Sequence, residues 1–150
     1  MKDIFIDNNI ALKLSPPLDE EYKELVAWLF EEGALVVSQK LLVEYNQGLI
    51  HLSNAKRNES VLGIIGRLTQ EGRLNKINNQ QISAFIIPKK IENRLLSNKK
   101  DRDHLKTIIL SFRKLAITSD NNFLRDINNY PKVNKVSPEA AYSPSRINYK

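Results

Sequence analysis

Four carboxylates stand where the sequence could do chemistry: Asp7 in "IFIDNN", Glu44 in "LVEYN", Asp101 in "KKDRDHL" and Asp120 in "AITSDNN". The chain has 150 residues, no cysteine and two histidines. No thiolate site or disulfide can form, and a reducing, cytoplasmic setting fits. Acids gathered without a His or Cys cluster make a hard, oxygen-only donor set, which selects Mg²⁺ or Mn²⁺ over zinc. Without an ion, such acids repel and some take up protons. Two ions about 4 Å apart suit in-line attack of water on a phosphodiester. Neighbouring polar residues fit as supports, Asn9 orienting Asp7 while Thr118 and Ser119 orient Asp120.

The elements that must deliver these side chains read as an α/β chain. Ile4 to Ile6 form a short buried strand ending at Asp7. Pro16 and Pro17 precede acids, and Tyr22, Leu25, Val26, Leu29 and Phe30 then recur at helical spacing up to Gly33. Ala34 to Val37 make a second strand. Ser38 caps a helix with Leu41, Leu42, Tyr45 and Leu49 on its apolar side, and Glu44 borders that stripe. Val61 to Leu68 mark another helix, ending near Gly72. Ile82, Phe85 and Ile86 suggest a short helix before Pro88, and Ile91, Leu95 and Leu96 one more. Leu105, Ile108, Ile109 and Phe112 form a helical stripe, Leu115 to Thr118 a strand, and Lys132 to Val136 a weaker strand.

This order predicts a sandwich around a parallel sheet. Ligands bind beyond the carboxyl ends of such strands, so Asp7 and Asp120 should share one rim. Asp101 precedes Leu105 by four residues and Ile108 by seven, which lays it along the buried stripe as the cap of its helix. Asp103 turns away and reads as an acid of the first turn. His104 reads as packed or hydrogen-bonded rather than as a general base, Asp126 as solvated, and Tyr22 and Trp28 as core or dimer contacts.

Charged residues make up 27% and hydrophobic residues 41%, the balance of a globular protein. No apolar run approaches the ~18 residues of a membrane span, and the N-terminus lacks the layout of a signal peptide. One domain is expected over 1–142, with 143–150 a frayed basic tail. Lys plus Arg outnumber Asp plus Glu by 23 to 17, a net +6 that suits a polyanionic partner without specifying one. Lys99, Lys100 and Arg102, with Lys89 and Lys90, approach the start of the helix carrying Asp101. They are placed to grip an RNA backbone, a role to set beside that of a merely solvated face.

Taken together, "IFIDNNIAL", "LVVSQKLLVEY", "DRDHLKT" and "LAITSDNNFL" resemble the PIN-domain nucleases, particularly the small VapC-type ribonuclease toxins. The resemblance spans about residues 3 to 142. The family's first motif is Asp-Thr-Asn, and here Asn8 replaces the Thr. Glu44, Asp101 with His104, and Thr118 with Asp120 match the later motifs. Asn122 stands where some members carry a further acid. The resemblance implies a three-layer PIN-like sandwich and a Mg²⁺- or Mn²⁺-dependent endoribonuclease leaving a 5′-phosphate. Asp7, Glu44, Asp101 and Asp120 would be its metal-holding and catalytic residues. It also implies RNA as substrate, a cognate antitoxin and a homodimer; the lack of a long apolar run leaves no membrane partner expected. Rival acidic sites fit less well. A haloacid-dehalogenase-like phosphatase needs Asp where Asn9 stands, and "DRD" follows "SNKK" rather than the strand a topoisomerase-primase site needs. A receiver domain would need clustered acids and a Lys after a later strand. The non-enzymatic alternative is a PIN-like RNA-binding or protein-interaction module, against which the four intact acids argue.

Overall fold

Three apolar runs build the middle of the sheet. In the computed structural model, which describes residues 1–150, β1 (Asp3–Ile6), β2 (Ala34–Ser38) and β4 (Leu115–Ile117) are buried along their whole length. Strands covered on both faces have no polar side to alternate with. Two more strands, β3 (Leu74–Ile77) and β5 (Glu139–Ala141), complete an all-parallel sheet in the order β3-β2-β1-β4-β5. The protein is thus an α/β fold with a five-stranded central parallel sheet flanked by helices.

The connections explain where a site can form. Helix α1 (Glu20–Glu31) joins β1 to β2, and α2 (Gln39–Gly48), α3 (Asn54–Asn58) and α4 (Val61–Gln70) join β2 to β3. The chain then returns past β1 through α5 (Asn79–Ala84), α6 (Lys89–Glu92) and α7 (Arg102–Leu110) to β4, and α8 (Asn121–Asn128) leads to β5. With right-handed crossovers, this path lays α1–α4 on one face and α5–α8 on the other. The winding reverses between β1 and β4, which opens a crevice at their carboxyl ends. There Ile6 pairs with Ile117, and the Asp7 N–H donates to the Ile117 carbonyl at 2.9 Å. Asp7 and Thr118 consequently leave the sheet side by side.

The opposite end of the sheet is held by a second buried acid. Asp3 is fully buried and accepts from the backbone N–H groups of Phe112 at 3.0 Å and Arg113 at 2.9 Å, and from the Asn75 amide at 2.7 Å. It therefore ties β1 to β3 and to the turn after α7. Lys114, also buried, donates to the Ser111 carbonyl at 2.7 Å. Burial holds its pKa below the usual lysine range, and the Asp3 charge partly opposes that shift.

Several expectations are corrected. Lys132 to Val136 is not a strand: Val133 and Val136 bond to each other across Asn134 and Lys135, both at positive φ, in a tight turn. The strand beside β4 is β5 instead. The stretch around Leu74 contributes β3, which the apolar pattern did not mark. Helix α7 stops at Leu110 and leaves Phe112 exposed. The terminal segment does not fray. Ile147 and Tyr149 are buried, the Tyr149 ring meets Trp28 edge-on at 4.9 Å, and Arg113 donates to the Tyr149 carbonyl. Gly33 is required beside that indole, because a Cβ there would lie 2.5 Å from the Trp28 ring. Asp126 is buried rather than solvated, accepting from the N–H groups of Leu96 and Ser97 at 2.8 Å each.

Candidate metal centre

Asp7 ends β1 in an extended conformation, and its Oδ1 accepts from the Asn8 N–H at 2.8 Å, opening a 3₁₀ turn over Asn8–Leu14. Its Oδ2 accepts from the Thr118 hydroxyl at 2.7 Å and from the Asn9 amide at 3.3 Å. The Thr118 oxygen in turn accepts from the Asp120 N–H at 3.2 Å. Ser119 takes part through its backbone N–H, which donates to Asn9 Oδ1 at 3.1 Å, while its side chain is exposed. One hydrogen-bonded web thus joins the ends of β1 and β4. Asp120 Oδ1 caps α8 by accepting from Asn122 and Phe123 N–H groups at 3.0 and 3.1 Å, leaving Oδ2 without a protein partner. Asn122 contributes that N–H, and its side chain is exposed.

Glu44 reaches the same place because its neighbour is anchored. Tyr45 is fully buried and its hydroxyl donates to the Ile6 carbonyl, so α2 is pinned one residue before Asp7. His104, on the first turn of α7, is 3% exposed and packs against the Phe5 ring. Its Nε2 lies 2.8 and 3.1 Å from the two Glu44 oxygens, while Nδ1 is buried without a partner. With Nδ1 unpartnered, the ring directs its Nε2–H at Glu44. Ligand atoms of Asp7, Glu44 and His104 all lie within 4.8 Å of one another.

Asp101 departs from the expected role. It closes a 3₁₀ turn over Lys99–Asp101 and makes no capping hydrogen bond to α7, so its carboxylate is free for the crevice. Asp103 faces solvent. Asp7, Glu44, Asp101 and Asp120 line one cavity of about 300 Å³ that has no apolar residue in its wall, with His104, Lys40 and Lys100 beside them. Asp7 and Asp101 belong to this cavity electrostatically as well. Burial raises the Asp7 pKa, against the lowering effects of the Thr118 hydroxyl, His104 and the Asn8 N–H, and the Asp101 charge adds to the rise. Burial also raises the Asp101 pKa, with the Asp120 charge as the next cause.

These groups suit a divalent cation. The donors are carboxylate oxygens, and a cation would offset the burial and the mutual repulsion that hold the pKa values of Asp7 and Asp101 up. Asp7 and Glu44 lie close together with His104 beside them, and Asp101 and Asp120 line the same cavity. Fold and site define a class: a parallel α/β protein with an acid-lined crevice at its switch point, compatible with metal binding. No family model, no curated protein and no solved structure matches the chain.

The expected RNA-gripping residues divide. Lys99 and Lys100 are exposed. Arg102 is committed elsewhere: its guanidinium meets Glu92 at 2.6 Å and the Ser97 hydroxyl at 3.0 Å, bracing α6 against α7. The sequence reading missed Lys40, which sits one helical turn before Glu44 and so shares its face. That spacing was the available signal.

Thr118 offers a direct check on the web. Its hydroxyl holds the Asp7 pKa down, so Thr118→Val lets that pKa climb further. Metal ligands must be deprotonated to bind. The pH at which Mn²⁺ begins to stabilise the variant in thermal melts should therefore move upward from that of the parent. An unchanged pH dependence would show the hydroxyl to be irrelevant to the site.

Proposed function

We propose that the protein is a metal-dependent endoribonuclease of PIN type, the toxin of a toxin–antitoxin pair, acting with Mg²⁺ or Mn²⁺. The observation that carries this reading is the convergence of Asp7, Glu44, Asp101 and Asp120 on one polar cavity at the sheet's carboxyl rim. Acids this far apart in sequence gain nothing in stability from meeting, since burial and mutual repulsion raise the pKa of two of them. A bound divalent ion supplies Lewis acidity for in-line attack of water on a phosphodiester.

The chain's own residues do the rest. Asp7 and Glu44 would hold the ion, with Asp101 and Asp120 supplying further oxygens from the same cavity. Thr118 and Asn9 fix the direction of the Asp7 carboxylate, and Tyr45 fixes the approach of α2. His104 holds Glu44 through both of its oxygens, so the Glu44 carboxylate meets the ion in a fixed orientation.

The test is a Mn²⁺ and Mg²⁺ titration read by thermal melting, together with cleavage of single-stranded RNA. Binding to the folded protein alone raises Tm, by about 2.7 kcal/mol of stability at a hundredfold excess over Kd. A rising Tm with metal-dependent cleavage, abolished by EDTA, is the expected result. A rise without cleavage leaves an RNA-binding or protein-interaction module, and no rise at all removes the metal site.

A further inference from the structure

The acidic cavity contains two cations that no acid neutralises. Lys40 and Lys100 both line it, yet neither forms an ion pair with any of its carboxylates or with any other acid. Both nonetheless act on Asp101, whose pKa their charges pull down against burial and the Asp120 charge. Lys40 is only partly exposed, and its ammonium donates to the Lys100 carbonyl. That bond uses one of three N–H donors. It also places the ammonium at the seam between α2, which carries Glu44, and the 3₁₀ turn that delivers Asp101.

An ammonium in a wall of carboxylates normally collapses onto one of them. Here the geometry keeps Lys40 off the acids, facing the same cavity. A ligand able to satisfy both sets of groups must offer anionic oxygens to the lysines and tolerate, through a cation, the acids opposite. A phosphodiester does so. We propose that Lys40, with Lys100 beside it, is the subsite that seats a backbone phosphate of a single-stranded RNA against the metal centre. This inference rests on the nuclease reading and adds to it the residues that grip the substrate. It also relocates the grip from Arg102, which Glu92 and Ser97 occupy, to the cavity wall itself.

A lysine contact to phosphate is sequence-blind and salt-sensitive. Each one contributes about −0.7 to the slope of log K against log salt on a single strand. The experiment uses the full chain and a labelled single-stranded RNA, with binding followed by anisotropy in Ca²⁺ across a KCl series. Lys40→Ala should weaken binding and flatten the slope by about 0.7, and Lys40→Arg should restore it. Lys132→Ala, an exposed cation in the turn before β5, should do neither. Metal-induced stabilisation of Lys40→Ala should be undiminished, because removing a cation leaves the acids more attractive to Mn²⁺. An unchanged slope in Lys40→Ala while the parent binds RNA overturns the subsite and leaves the nuclease reading intact. Loss of the Mn²⁺ response in Lys40→Ala marks the lysine as a structural tether and also overturns the subsite. A parent protein that takes up Mn²⁺ but binds no RNA overturns the nuclease reading itself.

Discussion

Replacing Asp7 by Asn is expected to lower metal-dependent RNA cleavage by well over 100-fold while raising the melting temperature of the metal-free protein. Loss of a residue that merely orients a ligand costs about 10–100-fold, so loss of a ligand itself should exceed that range. Asn keeps the shape and an oxygen for the Asn8 N–H. It removes a charge that burial disfavours, and with it the second oxygen, which accepts from Thr118 and Asn9; the relief of the buried charge is expected to outweigh those bonds. Asp7 has a folded-state pKa above its ordinary value, so between the two the native protein holds a proton that the unfolded chain has lost. Stability then falls as pH rises through that window, and the deficit persists at neutral pH. The Asn variant has no such deficit. Each kcal/mol regained should lift Tm by about 2–4 °C for a chain of this size. Mn²⁺ should no longer add its own increment. Cleavage at the parental rate, or growth arrest retained on expression of the variant, would remove Asp7 from the chemistry and with it the nuclease reading.

The largest loss of stability is expected at the other end of the same strand. Asp3→Ala deletes the acceptor for two backbone N–H groups and the Asn75 amide, all beneath a fully buried position. It also leaves the buried Lys114 without the one carboxylate that offsets its burial. Removing one member of a buried charged network costs about 3–5 kcal/mol, against a total stability of about 5–15 kcal/mol for a domain. Urea denaturation should show a midpoint lowered accordingly. Asp3→Asn, which keeps one acceptor, should lose less. A change below about 1 kcal/mol, the worth of an ordinary hydrogen bond, would mean that water or a shifted backbone takes over the Asp3 contacts. Because Asp3 lies away from the crevice, whatever fraction of the Ala variant stays folded should still respond to Mn²⁺. The acids at the two ends of β1 thus have opposite signatures: one weakens the fold for the sake of a site, the other holds the fold together.

Much of this architecture was legible beforehand because it rests on apolar runs. Ile4 to Ile6, Ala34 to Val37 and Leu115 to Ile117 lie in strands with no polar face, and Ser38 marks the start of α2 by its cap. The edge strands were hidden. "LNKI" exposes or half-exposes three of its four residues, and "EAA" has little strand preference of its own; each is a strand because a neighbour offers a ladder. The tail is too short to carry a clear pattern, although Ile147 and Tyr149 alternate with polar residues. At the site, strand ends and one helix face located Asp7, Asp120 and Asp101 in advance. What could not be read was the detail of contact. Nothing in the sequence says that His104 would close on Glu44, or that Arg102 would be claimed by Glu92. Asp126 was within reach, since it falls between Phe123 and Ile127 on the buried side of α8.

The chain contains a single tryptophan, and its ring lies under Tyr149 near the amino end of β2, away from the crevice. Its emission is therefore a built-in optical gauge of whether the last residues are seated. Metal or RNA entering the crevice should leave that signal largely still, whereas clipping the chain after Tyr142 should shift it to the red as the indole meets water.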